Sequence, residues 1–189
     1  MSTNQEFASV LTGKQIDALT ILDYPEPVLR AVCTPIESYG DWLEALGRRM
    51  IELMQAVKGV GLAAPQVGVP WRVFVIAATE EQGQTRIFVN PELSDLSGRA
   101  RADEGCLSLP DVTVPIDRAT RATVTACDLT GQRFQMTTEG LLARVWQHEN
   151  DHLDGRLIVD YMDTQAELVN RKALKALKAT YEAARHDKR

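Results

Sequence analysis

Glu139-Gly-Leu-Leu-Ala-Arg-Val-Trp-Gln-His-Glu-Asn-Asp-His152 decides how the rest of this chain is read. Its apolar residues recur at helical spacing, and Gly155 stands where such a helix would end. Four residues along a helix correspond to about 400° of rotation, so His148 and His152 project from one side, one turn apart. Leu141, Val145, His148, Glu149 and His152 share that face, which sets apolar residues beside the imidazoles. Two imidazoles at this spacing suit one transition-metal ion. Glu149, about 100° round from His148, can reach a water there without competing for the ion. The chain has only 3 histidines, so a chance, solvent-facing His-Glu-x-x-His is the weaker explanation.

A catalytic ion needs a third protein ligand and one open position. One protease pattern extends the motif to a third histidine after a glycine; Gly155 is in place, but Ile158 stands where that histidine should be. A second pattern takes a glutamate from a following helix, and Glu167 would make the chain a metallo-endopeptidase. The third candidate is Cys106, upstream in Glu104-Gly-Cys-Leu-Ser-Leu-Pro110. Two neutral imidazoles and a thiolate leave a divalent ion one net positive charge, and this donor set suits zinc or ferrous iron. Spacing alone leaves Glu167 and Cys106 both open.

Working outward, Thr164–Arg185 is a second long helical pattern, with Leu168, Leu174, Leu177 and Tyr181 on or near one side. Ala122–Asp128 and Arg133–Thr137 read as a hairpin around Thr130-Gly131. Val73–Ala77 and Arg86–Asn90 read as strands joined by the polar turn Glu80–Gln84. Asp41 to Val57 is helical in period, with Asp41 as N-cap and Gly59 as stop. Gly59 to Gly68 is rich in small residues and reads as a loop. Leu19 to Pro27 reads as a short strand stopped by prolines, and residues 1–18 as a polar arm. Short connections between strand pairs imply antiparallel pairing. The expected class is therefore α+β: antiparallel sheets packed around the central His-Glu-x-x-His helix, with a C-terminal helix over residues 164–189. No repeat or linker divides residues 1–189, which read as one domain.

The net charge of −5 gives no overall attraction to phosphate backbones, so no nucleic-acid sequence is an expected partner. No apolar run is long enough for a bilayer, and the N-terminus lacks signal architecture, which implies a cytoplasmic protein. Cys33, Cys106 and Cys127 are too few for a disulfide framework. Cys33 and Cys127 read as structural, and His186 as part of a solvated tail.

Three stretches together resemble the peptide deformylase family: Gly59-Val-Gly-Leu-Ala-Ala-Pro-Gln66, Glu104-Gly-Cys-Leu-Ser108 and Gln147-His-Glu-Asn-Asp-His152, in the family's order. Asp23-Tyr-Pro-Glu-Pro-Val-Leu-Arg30 and Leu153-Asp-Gly-Arg-Leu157 are similar to its flanking segments, so the likeness spans roughly residues 19 to 165. The resemblance implies an iron-dependent bacterial-type enzyme that removes the formyl group from the N-terminal methionine of nascent polypeptides. It implies Cys106, His148 and His152 as ligands of Fe2+ (with Zn2+, Ni2+ or Co2+ as substitutes) and Glu149 as general base. It implies an oxyanion held by the Gln66 amide and the Leu107 N–H. Gly61 and Gly105 would border an extended peptide, and Val60, Leu141 and Val145 would receive the methionine side chain. Arg171, Lys172, Lys175, Lys178, Arg185, Lys188 and Arg189 make the C-terminal segment basic, and the resemblance implies ribosome docking through it. The chain departs from the family at Asn150 and Arg144, where many members are apolar, and in the shorter stretch Asp111–Ile116.

Overall fold

The computed structural model describes residues 13–77 and 84–186. Val73-Phe-Val-Ile76 explains its layering. These β-branched and aromatic residues alternate, with Val73 and Val75 entering one apolar cluster and Phe74 and Ile76 another. A strand buried on both faces must sit between two layers. This strand, β2 (Val73–Ile76), is second in a five-stranded antiparallel sheet ordered β1-β2-β3-β6-β7. Its other members are β1 (Gly61–Ala63), β3 (Arg86–Ser97), β6 (Arg121–Cys127) and β7 (Arg133–Glu139). The strands β4 (Ala100–Cys106) and β5 (Leu109–Arg118) form a separate two-stranded hairpin.

Two helices cover the sheet. Helix α2 (Asp41–Ala56) buries Leu43, Leu46, Met50 and Met54 against Leu62, Val73, Val75 and Val89. Helix α3 (Gly140–Leu153) buries Leu142, Ala143, Trp146 and Leu153 against Phe74, Ile76, Phe88 and Val124 on the opposite face. The Trp146 ring lies 5.8 Å from that of Phe88. Each buried large side chain of this kind contributes roughly 1.5–3 kcal/mol, so α3 is anchored on its apolar side and free to carry polar groups on the other. Helix α4 (Thr164–His186) lies on β5, where Ala166, Leu174 and Leu177 meet Leu109, Val112, Val114 and Ile116. Asn170, buried in that contact, spans Thr113 by accepting from its N–H at 3.1 Å and donating to its carbonyl at 2.8 Å.

The α+β class and the antiparallel pairing match the sequence reading, and several local expectations do not. Leu19–Pro27 makes no ladder: it runs as a strap, donating from Leu22 N–H to the Gln66 carbonyl and from Tyr24 N–H to that of Ser108, both at 2.8 Å. Gly59–Gly68 is not a loop throughout, because β1 and a 3-10 turn over Ala64–Val67 occupy it. Asp41 opens α2 as its first residue after the Gly40 cap, and Lys58 rather than Gly59 takes the left-handed position after its end. Leu168 faces outward at 70% exposure, since the buried stripe of α4 runs through Ala166, Asn170, Leu174 and Leu177. Of the arm at 1–18, residues 13–17 form the short helix α1 (Gly13–Asp17) with Ile16 buried. The rest of that arm at 1–12, most of the turn Glu80–Gln84, and the basic end at Lys188 and Arg189 lie outside the described residues.

Candidate active site

Helix α3 brings its two histidines to the end of the β4–β5 hairpin. The ligand atoms of Cys106, His148 and His152 all lie within 4.8 Å of one another. The Cys106 Sγ is 3.3 Å from His152 Nε2. His148 contacts the Glu104 carboxylate through Nδ1 at 3.0 Å, which leaves its other nitrogen for the cluster. Burial disfavours the charged form of both imidazoles. For His152 the charges of His148 and Arg118 reinforce burial, and the ring is held well below its ordinary value. For His148 hydrogen bonds to Cys106 and Glu104, with the nearby Glu149 charge, outweigh burial and raise it well above. His152 is thus kept neutral, with its lone pair available, and one sulfur with two imidazoles is a donor set that fits a divalent transition-metal ion. Glu167 is exposed on the first turn of α4 and is not part of the cluster.

Beneath His148 is a buried ion network. Arg118 donates through Nε and Nη2 to the two oxygens of Glu104, each at 3.0 Å, and through Nη1 to Asp151 at 2.5 Å. Arg144 reaches the same Glu104 at 2.7 Å and ties α3 to the hairpin through the carbonyls of Ile116 and Ala100. Tyr161 donates to Asp151 at 2.7 Å. Burial alone would raise the Glu104 carboxyl, but the hydrogen bonds and charges of His148 and Arg118 prevail and hold it at about 2. Glu104 is therefore a fixed anion that orients the His148 ring.

Gln66 sits on the opposite wall. Its Oε1 accepts from the Ala63 N–H at 2.8 Å, which turns its amide nitrogen toward Ser108 Oγ at 3.2 Å and Cys106 Sγ at 3.5 Å. Glu149 is buried beside them, and one of its carboxylate oxygens has no hydrogen-bond partner among the described residues. Burial raises its pKa to about 7. A Cβ built on Gly61 would sit 2.8 Å from the Glu149 carboxyl carbon, so β1 passes close to that carboxylate only because Gly61 has no side chain.

These groups line a cleft of about 390 Å³. Val60, Gly61, Gln66, Gly105, Leu107 and Val145 all border it, with Leu141, Cys106, His148 and Glu149, while His152 lies buried behind the sulfur. Val60 and Leu141 are apolar yet 54% and 70% exposed at its mouth. Arg144 also borders it, with its charge absorbed by Glu104. Asn150 points away from it, accepting from Arg72 and donating to Asp154 at the end of α3. The Cys33 thiol, outside the cleft, is pushed up to about 12 by burial.

Sequence reasoning missed the roles of Arg118, Asp151 and Ser108. One signal was present: Val112, Val114, Ile116 and Arg118 share the inward phase of β5, and an inward arginine demands buried carboxylates.

A Cys-His-His donor set with a buried glutamate on the same helix, inside an α+β frame, defines a hydrolase of the His-Glu-x-x-His kind. Residues 18–167 match the family described as polypeptide deformylase, and the chain belongs to that family. It is 44% identical over 147 residues to a peptide deformylase of Azotobacter vinelandii, covering 77% of this chain and 88% of that one. To a peptide deformylase of Nitrosococcus oceani it is 40% identical over 158 residues, covering 83% and 95%. Among solved structures, Arabidopsis thaliana peptide deformylase 1B in complex with an inhibitor superposes with a TM-score of 0.82 at 36% identity, covering 88% of this chain and 93% of that one. The Legionella pneumophila peptide deformylase gives 0.80 at 37% identity, covering 87% and 98%.

Proposed function

We propose that this chain hydrolyses the N-formyl group from the formyl-methionine that begins nascent polypeptides, releasing formate. The observation that carries this reading is the Cys106, His148 and His152 cluster beside buried Glu149 in a cleft bordered by β1. Those three residues would hold the divalent ion, ferrous iron by family likeness, with zinc, nickel or cobalt as substitutes. When bound, the ion supplies Lewis acidity that makes water a nucleophile near neutral pH.

The remaining chemistry belongs to the chain. Glu149 takes the proton of the attacking water and returns it to the departing amine; a carboxyl raised towards neutrality by burial is suited to both transfers. The Gln66 amide and the Leu107 N–H hold the oxyanion, each such donor contributing about 3–4 kcal/mol to transition-state stabilisation. Among the described residues β1 is an edge strand, paired only with β2, so a peptide can add beside it through main-chain hydrogen bonds. Gly61 and Gly105 give the substrate backbone room. The methionine side chain covers Val60, Leu141 and Val145, two of which are otherwise exposed.

Formate release from formyl-Met-Ala-Ser, assayed without oxygen and with metal content measured in parallel, tests this reading. Turnover that scales with about one ion per chain is expected; a fully loaded chain that releases no formate would overturn it. No described helix is long and apolar enough to cross a membrane, and action on nascent chains places the enzyme in the cytoplasm. The exposed basic residues Arg171, Lys172 and Lys175 of α4 would dock on the ribosome. Reversing their charges should abolish co-sedimentation with ribosomes at low salt; unchanged co-sedimentation would end the docking idea.

A further inference from the structure

The strap between α1 and α2 holds both walls of the cleft from behind. Leu22 donates its N–H to the Gln66 carbonyl and Tyr24 donates to the Ser108 carbonyl, both at 2.8 Å. Gln66 and Ser108 are buried, so their carbonyls depend on protein donors. The side chains of the strap divide in the same way. Leu19 and Ile21 pack with Leu62 and Val67 in the cluster behind β1, while Tyr24 and Leu29 join Leu109 and Val112 of the β4–β5 hairpin in another. Arg49 of α2 donates to the Leu19 carbonyl at 2.9 Å, and Lys178 of α4 lies 5.9 Å from the centre of the Tyr24 ring. The strap is thus moored to the β1 wall at its start and to the hairpin wall at its end. Two residues of chain reach at most about 7 Å, so Gln66 and Ser108 are tied to nearby points on one backbone. The walls also meet through Gln66 Nε2 at Ser108 Oγ, and through the Leu107 side chain on the β1 cluster.

We propose that Leu22 and Tyr24 are positioning residues of the oxyanion site: their main-chain N–H groups, one on each wall, set the separation between the Gln66 amide and the Leu107 N–H. The inference rests on the deformylase reading, because an oxyanion forms only if the cleft hydrolyses an acyl group. A donor stabilises that charge only from about 2.7–3.1 Å, and a misplacement of about 1 Å can cost about 100-fold in rate. Gln66 stands on the wall held by packing and Leu107 on the wall held by ions, so neither wall alone sets their spacing. The strap bonds the backbone of Gln66 itself and the backbone of Ser108, the residue after Leu107. It touches neither substrate nor ion, so it acts through the two donors and on the transition state rather than on binding.

The test deletes single N–H groups and leaves every side chain in place. The α-hydroxy analogue of leucine at position 22, or of tyrosine at position 24, replaces the donor by an ester oxygen in the full-length, metal-loaded chain. The same exchange at Glu26 is the control, since its N–H bonds the Asp23 carbonyl within the strap itself. Formate release from formyl-Met-Ala-Ser is measured per bound metal ion, with the melting temperature in parallel. The esters at 22 and 24 should each lower kcat by about fivefold, the rate equivalent of one ordinary hydrogen bond, with KM unchanged. The Glu26 ester should shift the melting temperature comparably and leave kcat at the parent value. In a Gln66→Leu background, the ester at 22 should cost nothing further in kcat, because the donor it positions is already gone. Parent kcat in the esters at 22 and 24, the same loss in the Glu26 control, or an undiminished loss at 22 beside Gln66→Leu would each overturn the proposal. A loaded parent chain that releases no formate would instead overturn the deformylase reading, and the proposal with it.

Discussion

The two walls of the cleft are built on opposite physical principles. On one side, β1 is buried at all three positions, and Leu62 packs among Met54, Val73 and Val75. On the other, the β4–β5 hairpin is tied to α3 by charge: Arg118 binds Glu104 and Asp151, and Arg144 adds a second cation. Apolar packing holds a backbone in place whatever the pH. A buried ion network fixes side-chain direction more strictly, but only while every partner keeps its charge. The wall that only has to present glycines and an amide rests on packing; the wall that has to aim an imidazole rests on ions.

Breaking each wall should therefore give different signatures. Arg118→Met removes the cation shared by Glu104 and Asp151, leaving Glu104 to Arg144 and His148 and Asp151 to the Tyr161 hydroxyl, and should cost about 3 kcal/mol at neutral pH, measured by urea denaturation. Leu62→Ala on the other wall should cost about 2–5 kcal/mol, with little dependence on pH. The Glu104 carboxyl is depressed in the folded chain to about 2. Its contribution is thus present above the ordinary carboxylate range near 4.5 and is lost as pH falls towards about 2. The penalty of Arg118→Met should shrink over that window as Glu104 takes up a proton, while that of Leu62→Ala stays constant. Equal pH profiles for the two variants would erase the distinction between the walls.

Gly61→Ala sharpens the comparison from the packed side. The new methyl would displace the Glu149 carboxylate, and a misplacement of about 1 Å can cost about 100-fold in rate. Steady-state kinetics should show that loss in kcat with the melting temperature shifted by only a few degrees. A smaller effect is expected where the walls meet: Ser108→Ala removes the oxygen that accepts from Gln66, a hydrogen bond of about 1 kcal/mol. It should lower kcat severalfold and leave metal content unchanged.

The packed half of this arrangement was legible in the sequence. Helical period placed His148, Glu149 and His152 together, and Val73–Ala77 read as a strand, though not as one buried on both faces. The charged half was hidden, because ion pairs between Glu104, Arg118 and Asp151 join positions far apart in the chain that no local period relates. The 3-10 turn at Ala64–Val67 was obscured because its small residues and proline look like a loop until Gln66 closes back on the Ala63 N–H. Cys106 could be weighed only against Glu167 by spacing; the fold places the sulfur beside His152 and leaves Glu167 on an exposed turn.

X-ray absorption at the metal edge of the reduced, loaded enzyme tests this arrangement most directly. One sulfur at about 2.3 Å together with two imidazole nitrogens is the expected set of protein ligands, and Cys106→Ser should abolish the sulfur signal. A shell of nitrogen and oxygen alone in the unaltered chain would contradict the assignment of Cys106.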